Sequence, residues 1–133
     1  MNESGPTILV TERNANIRDL LRREFGKEGF IVHVAADATS LRERLTDGTA
    51  YALAVLDEDL PSAGVEPALA MILRLAPDLP VILHAFPGGA RGGESGHATR
   101  LVEKSGDFDC LKRAVSELIA TRRAQGDENA AGA

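Results

Sequence analysis

Short apolar runs alternate along this chain with amphipathic stripes, and that alternation restricts the fold more than any other feature. TILV at 7–10, IVHVA at 31–35, LAVL at 53–56 and VIL at 81–83 are nearly continuous in apolar residues. Such runs suit strands covered on both faces, as parallel strands are. The intervals between them carry helical spacing instead. Ile17, Leu20, Leu21 and Phe25 recur at i, i+3, i+4 and i+8 behind a good N-cap, Asn14, and Gly26 and Gly29 bracket the end of this helix. Thr39 is expected to cap a short helix carrying Leu41 and Leu45 that stops at Asp47-Gly48. A third helix is expected over 66–75, with Leu69, Ile72 and Leu73 as its apolar face and Pro77 and Pro80 beyond it.

A fifth strand is expected at 99–102, and a last helix over 108–123, with Leu111, Val115, Leu118 and Ile119 on one side and Asp107 as cap. Strand and helix alternate throughout, which predicts an α/β domain: a parallel sheet with helices on both faces. At 133 residues one domain is expected, with tails at 1–5 and 125–133 around a body at 6–124. Aromatic residues make up 4% of the chain and Trp is missing, so the core must be built from Leu, Val, Ile and Ala.

A net charge of −5 offers no electrostatic footprint for nucleic acid or an anionic membrane. The single cysteine, Cys110, excludes an intrachain disulfide and is expected as a small core or semi-buried residue. MNESGPTILV lacks the basic and apolar regions of a secretory signal, and no apolar run approaches a membrane span. A cytoplasmic location is the resulting expectation.

In open sheets of this kind, functional groups gather beyond the carboxyl ends of the strands. Those ends here are Thr11 to Arg13, Asp57 to Asp59, Ala85 onward and Glu103 to Ser105. Asp57 follows LAVL directly and precedes Leu60-Pro61, so an acid sits at the tip of a central strand just before a turn. His84 lies at the end of the fourth strand, next to Ala85, where a packing or surface role is expected ahead of a role in the crevice.

Taken together, ILVTERNANIRDLL, the Gly29-Phe30 pair, LAVLDEDLP, LAPDLPVIL and Lys104 resemble the CheY-like receiver domains of response regulators over about residues 6–122. The resemblance implies a doubly wound five-stranded parallel sheet in the order 2-1-3-4-5 and a role in two-component signalling rather than catalysis. It implies that Asp57 is the phosphoacceptor, used or vestigial, and that Lys104 neutralises phosphoryl oxygens. It further implies Mg²⁺ near the acids after the first strand, and a histidine kinase or phosphotransfer protein as partner.

The chain departs from the family pattern at four places. The acidic pair falls on Glu12 and Arg13, so one acid is replaced by a cation. The hydroxyl position falls on Ala85, the switch aromatic on Leu101, and Lys104 is followed by Ser105 where Pro is usual. Arg13 is expected to place its guanidinium against Asp57, in the charge role of Mg²⁺ and with the effect of lowering the acid's pKa. Glu58 and Asp59 read as solvated turn residues, and Glu12, Asp57 and Asp59 as at most a weak divalent-metal pocket. Without a hydroxyl or an aromatic, the usual coupling from site to surface is missing. The expectation is a stand-alone, degenerate receiver that acts on a separate downstream protein. A phosphorylation-independent adaptor or a homodimerisation module is the alternative.

FPGGARGGESG, residues 86–96, packs five of the 13 glycines into the interval before the fifth strand. Gly88 to Ser95 has the spacing of a phosphate-binding loop, but Glu94 occupies its lysine position, which disfavours a nucleotide-binding enzyme. Five glycines at roughly 1 kcal/mol each relative to Ala undo most of a short helix. The family's helix between the fourth and fifth strands is therefore expected to be shortened, displaced or disordered, and with it a surface that receivers use for partners.

Overall fold

The computed structural model describes residues 5–61, 65–88 and 98–132, without the side chains of 65–66 and 125–132. Its order is β1 (Thr7–Thr11), α1 (Ala15–Lys27), β2 (Ile31–Ala35), α2 (Ala38–Leu45), β3 (Leu53–Asp57), α3 (Val65–Leu75), β4 (Val81–Ala85), β5 (Arg100–Glu103) and α4 (Asp109–Gly132). The five strands form one parallel sheet in the order β2-β1-β3-β4-β5.

The period-2 geometry of a strand explains why its apolar runs are unbroken. Ile8, Val10, Leu53, Val55 and Ile82 point to one face, where they meet Leu21 and Phe25 of α1 and Leu111 and Val115 of α4. Leu9, Ala54, Leu56 and Leu83 point to the other, against Leu41 of α2 and Leu69 and Ile72 of α3. Every position of β3 is buried, so it forms the spine of both layers. At roughly 1.5–3 kcal/mol for each buried Val, Leu or Ile side chain, these two layers are the main source of stability.

Local chemistry sets the helix ends. Asn14 caps α1 by accepting hydrogen bonds from the backbone N–H groups of Asn16 and Ile17. At the other end Phe30 N donates to Phe25 O at 3.1 Å and Gly29 N to Gly26 O at 3.0 Å, the paired bonds of a Schellman motif. Gly29 adopts φ 93°, the left-handed conformation that motif requires, and the Phe25 and Phe30 rings meet edge-on at 6.0 Å. Lys112 of α4 reaches Glu24 of α1 at 2.6 Å and ties the two helices of this face together. Lys112 first, and then Lys27, hold the Glu24 carboxyl at about 2.

Several expected details differ. The cap of α2 is Asp37, not Thr39, because Ser40 answers Asp37 with reciprocal bonds that close a capping box. Strand β5 is shifted by one residue to Arg100–Glu103, and Asp107 Oδ1 accepts from Asp109 N just before α4. Helix α4 runs on to Gly132, past the expected end at Arg123, since the alanine-rich sequence beyond it contains no proline. Cys110 is exposed in the first turn of α4 rather than in or near the core, because Leu111 and Ala114 take the inward positions. The expected changes to the helix between β4 and β5, and most of the Gly88–Ser95 loop, fall on 89–97, outside the described residues. No helix among the described residues is long and apolar enough to cross a membrane.

Candidate functional site

The carboxyl ends of β1, β3, β4 and β5 converge on a crevice of about 540 Å³ whose walls include Glu12, Arg13, Asp57, Asp59, His84 and Lys104. Asp57, the last residue of β3, is 2% exposed. Thr11 at the end of β1 anchors it. The Thr11 hydroxyl donates to Val55 O at 3.2 Å and accepts from Asp57 N at 2.7 Å, so the acid's backbone is clamped from the neighbouring strand.

Lys104, the residue after β5, puts its Nζ 2.7 Å from Asp57 Oδ1, and Asp59 N donates to the same oxygen at 2.9 Å. The lysine backbone is itself held, because Lys104 N donates to Ala85 O at 2.7 Å. Burial pushes the Asp57 carboxyl up, but Lys104 and Asp59 N outweigh it and hold the group below the usual carboxylate range. Asp57 is therefore a buried, ionised carboxylate, held by Lys104 and Asp59 N at the edge of a crevice.

Glu12 follows β1, with its N–H donating to Ala35 O of β2 and its Oε2 accepting from Asn14 N at 3.0 Å. Burial raises its pKa, the Asn14 bond opposes that, and the nearby Asp57 carboxylate raises it further. Two acids thus stand side by side.

Arg13 does not do what its position suggested. Its guanidinium lies 2.9 Å from Asp59 Oδ2, in an ion pair whose side chains are more than half and half exposed, so it bonds Asp59 rather than Asp57. The turn after β3 carries Asp59 outward to meet it, while Asp57 stays under Lys104. Glu58 is not a merely solvated turn residue either: its N–H donates to His84 O, and its Oε2 accepts from Phe86 N at 2.7 Å, joining the exits of β3 and β4. Ala85 is buried and brings no hydroxyl, and Leu101 is 48% exposed on β5.

Two contributors, Arg18 and Phe86, were not legible as site residues, and a third, His84, reads from sequence first as a packing or surface residue. Arg18, in the first turn of α1, donates from Nη1 to the carbonyls of Glu12 and Arg13 at 2.9 Å each and holds the loop that carries them. Its only signal in the sequence is its distance from that loop, about one helical turn inside α1. His84 pairs in register with Asp57 and lies in the crevice, where burial, followed by the Lys104 charge, lowers it to about 4. Phe86 places its ring under the Lys104 ammonium, 4.3 Å from Nζ to the centroid.

Gly88 opens the glycine-rich stretch with φ 74°, and its N–H donates to the Glu103 carboxylate at 3.2 Å. A backbone donor that a phosphate cradle would aim at an anion is thus already satisfied by an acid. No group of three or more His, Cys, Asp or Glu among the described residues is arranged to hold a metal ion.

No family model and no curated protein matches the chain. Solved structures do. The response regulator TrrA from Thermotoga maritima, solved with Mg²⁺ and BeF, is 29% identical over 85% of this chain and 98% of its own, with a TM-score of 0.77. TrrA in complex with the histidine kinase ThkA is 30% identical over 85% of this chain and 97% of that one, with a TM-score of 0.70. The chain belongs to the response-regulator receiver family. The receiver domain of a Francisella response regulator shares the fold at 20% identity, with a TM-score of 0.76 over 89% of this chain and 99% of its own. Receivers are signalling modules of two-component systems.

Proposed function

We propose that this chain is a degenerate receiver in which Asp57 still accepts a phosphoryl group, and that it passes the signal to a separate protein by direct contact. The observation that carries this reading is the buried Asp57 carboxylate 2.7 Å from Lys104, with Arg13 drawn away to Asp59. Arg13 therefore leaves the nucleophile to Lys104 instead of locking it.

In the reaction, a carboxylate oxygen of Asp57 attacks the phosphorus of a phosphohistidine. The O–P bond forms, the P–N bond breaks, and the imidazole leaves with its electron pair and takes up a proton. The lowered pKa keeps Asp57 ionised for attack, and Lys104 offsets charge on the phosphoryl oxygens. A histidine kinase is the donor by analogy with the ThkA–TrrA pair.

Mg²⁺ suits the two neighbouring carboxylates of Glu12 and Asp57, a hard oxygen pair. The third acid, Asp59, is neutralised by Arg13, so affinity is low. When bound, the ion supplies further charge neutralisation for the transferring group. Ala85 gives the product no hydroxyl donor, and Leu101 gives no buried switch aromatic, so the family's usual coupling is missing here.

Incubation with acetyl phosphate and Mg²⁺, read by intact mass, is expected to add one phosphoryl group that Asp57→Asn abolishes. Beryllofluoride is expected to shift the amide resonances around Asp57, Ala85 and Lys104. No mass gain and no shifts would leave the phosphorylation-independent adaptor as the reading.

A further inference from the structure

The Lys104 ammonium meets both a carboxylate and an aromatic ring. Its Nζ is 2.7 Å from Asp57 Oδ1 and 4.3 Å from the centroid of the Phe86 ring. We propose that Phe86 is a positioning residue whose ring holds the Lys104 ammonium against Asp57, supplying order that the missing hydroxyl at Ala85 does not. This rests on the reading of Asp57 as phosphoacceptor.

Phe86 is a large apolar side chain, 50% exposed, at a strand exit whose preceding residue, Ala85, is fully buried. Its location is nevertheless well defined. Phe86 N donates to Glu58 Oε2 at 2.7 Å, Glu58 N donates to His84 O, and Lys104 N donates to Ala85 O. The exits of β3, β4 and β5 are thereby laced together, which puts the face of the ring where the ammonium must pass on its way to Asp57. A lysine stem is flexible and its ammonium strongly hydrated, so a lone carboxylate does not by itself hold it in one rotamer. The negative face of an aromatic ring attracts the cation and screens one side of it from water. With ring and carboxylate on two sides, the ammonium is directed toward the oxygens of the site.

This role depends on the ring's charge distribution and not on its bulk, so two substitutions separate it from simple packing. Phe86→Leu keeps an apolar side chain and removes the aromatic face, whereas Phe86→Trp keeps it. Two measurements are made on each protein: the side-chain order of Lys104 from NMR relaxation, and the rate of phosphorylation by acetyl phosphate with Mg²⁺. Phe86→Leu is expected to leave the amide spectrum folded, to lower the order of Lys104, and to slow phosphorylation roughly two- to fivefold, the range of one exposed cation–π contact. Phe86→Trp is expected to retain the wild-type order and a rate within about twofold of it.

A Lys104 that stays as ordered in Phe86→Leu as in the wild type overturns the proposal. So does Phe86→Trp behaving like Phe86→Leu. If the wild-type chain takes up no phosphoryl group at all, the reading of Asp57 fails on the mass measurement, while the order of Lys104 still decides the role of Phe86.

Discussion

Thr11, Asp57 and Lys104 form a chain of direct bonds from one strand end to the next: hydroxyl to backbone, then carboxylate to ammonium. The residue types at 57 and 104 were legible because an acid and a lysine at strand ends have few structural reasons to be there. The partner of Arg13 was not legible. Asp57 and Asp59 are two positions apart in sequence, and only the course of the turn decides which one the guanidinium meets. Arg13→Asp tests what that pair does. It removes one positive charge, adds a negative one and releases Asp59 toward Glu12 and Asp57. At about 1 kcal/mol per pair of unit charges at ~4 Å in a water-like dielectric, a two-unit change facing a divalent ion amounts to about 4 kcal/mol, which salt and the greater reach of an exposed side chain reduce, and Mg²⁺ affinity is expected to rise at least about tenfold by calorimetric titration. Unchanged affinity would mean that Arg13 does not limit the site.

Among the secondary elements, sheet and helix existence followed from apolar spacing, and boundaries followed from local hydrogen bonds. Asn14 could be read directly, because it is a good cap placed just before a strong stripe. Removing it leaves Asn16 N and Ile17 N without their acceptor, so Asn14→Ala is expected to cost about 1 kcal/mol in urea unfolding. At α2 two capping residues, Asp37 and Thr39, stand two positions apart, and sequence alone does not rank them. The reciprocal bonds with Ser40 do. Asp37→Ala is therefore expected to lower the urea midpoint, whereas Thr39→Ala should leave it near the wild-type value. The reverse order would contradict the assigned cap. The end of α4 escaped for a related reason: Gly126 reads as a stop, but with no proline after it the helix runs through to Gly132.

On the scale of the whole molecule, the two apolar layers meet at β3 and leave one polar end, so burial and charge compete at the crevice. His84 shows the cost. Burial first, and Lys104 next, hold its pKa at about 4, against an ordinary value of 6.5; Asp57 opposes them. In the unfolded chain this histidine binds a proton below about 6.5, whereas the folded chain does not until about 4. The unfolded state thus holds more protons in that window, and stability falls as pH drops from 6.5 toward 4, by roughly 3 kcal/mol for the full shift. Thermal unfolding across that range is expected to show the decline, and His84→Val to flatten it. An equally steep decline in the variant would assign the effect to other groups.

The fold was determined by the sequence itself: continuous apolar runs of strand length, separated by 3.6-period stripes, leave a parallel sheet between two helical layers as the arrangement that buries both strand faces. The positions of Asp57 and Lys104 at strand ends were determined with it, since strand ends are where apolar runs stop. Tertiary structure alone decided which charges pair across those ends. Arg13 meets Asp59, Glu58 meets the β4 exit, and Phe86 meets Lys104. Each of these contacts joins residues from separate strand exits, at distances of a few ångströms set by sheet register and turn path, and neither composition nor periodicity encodes those.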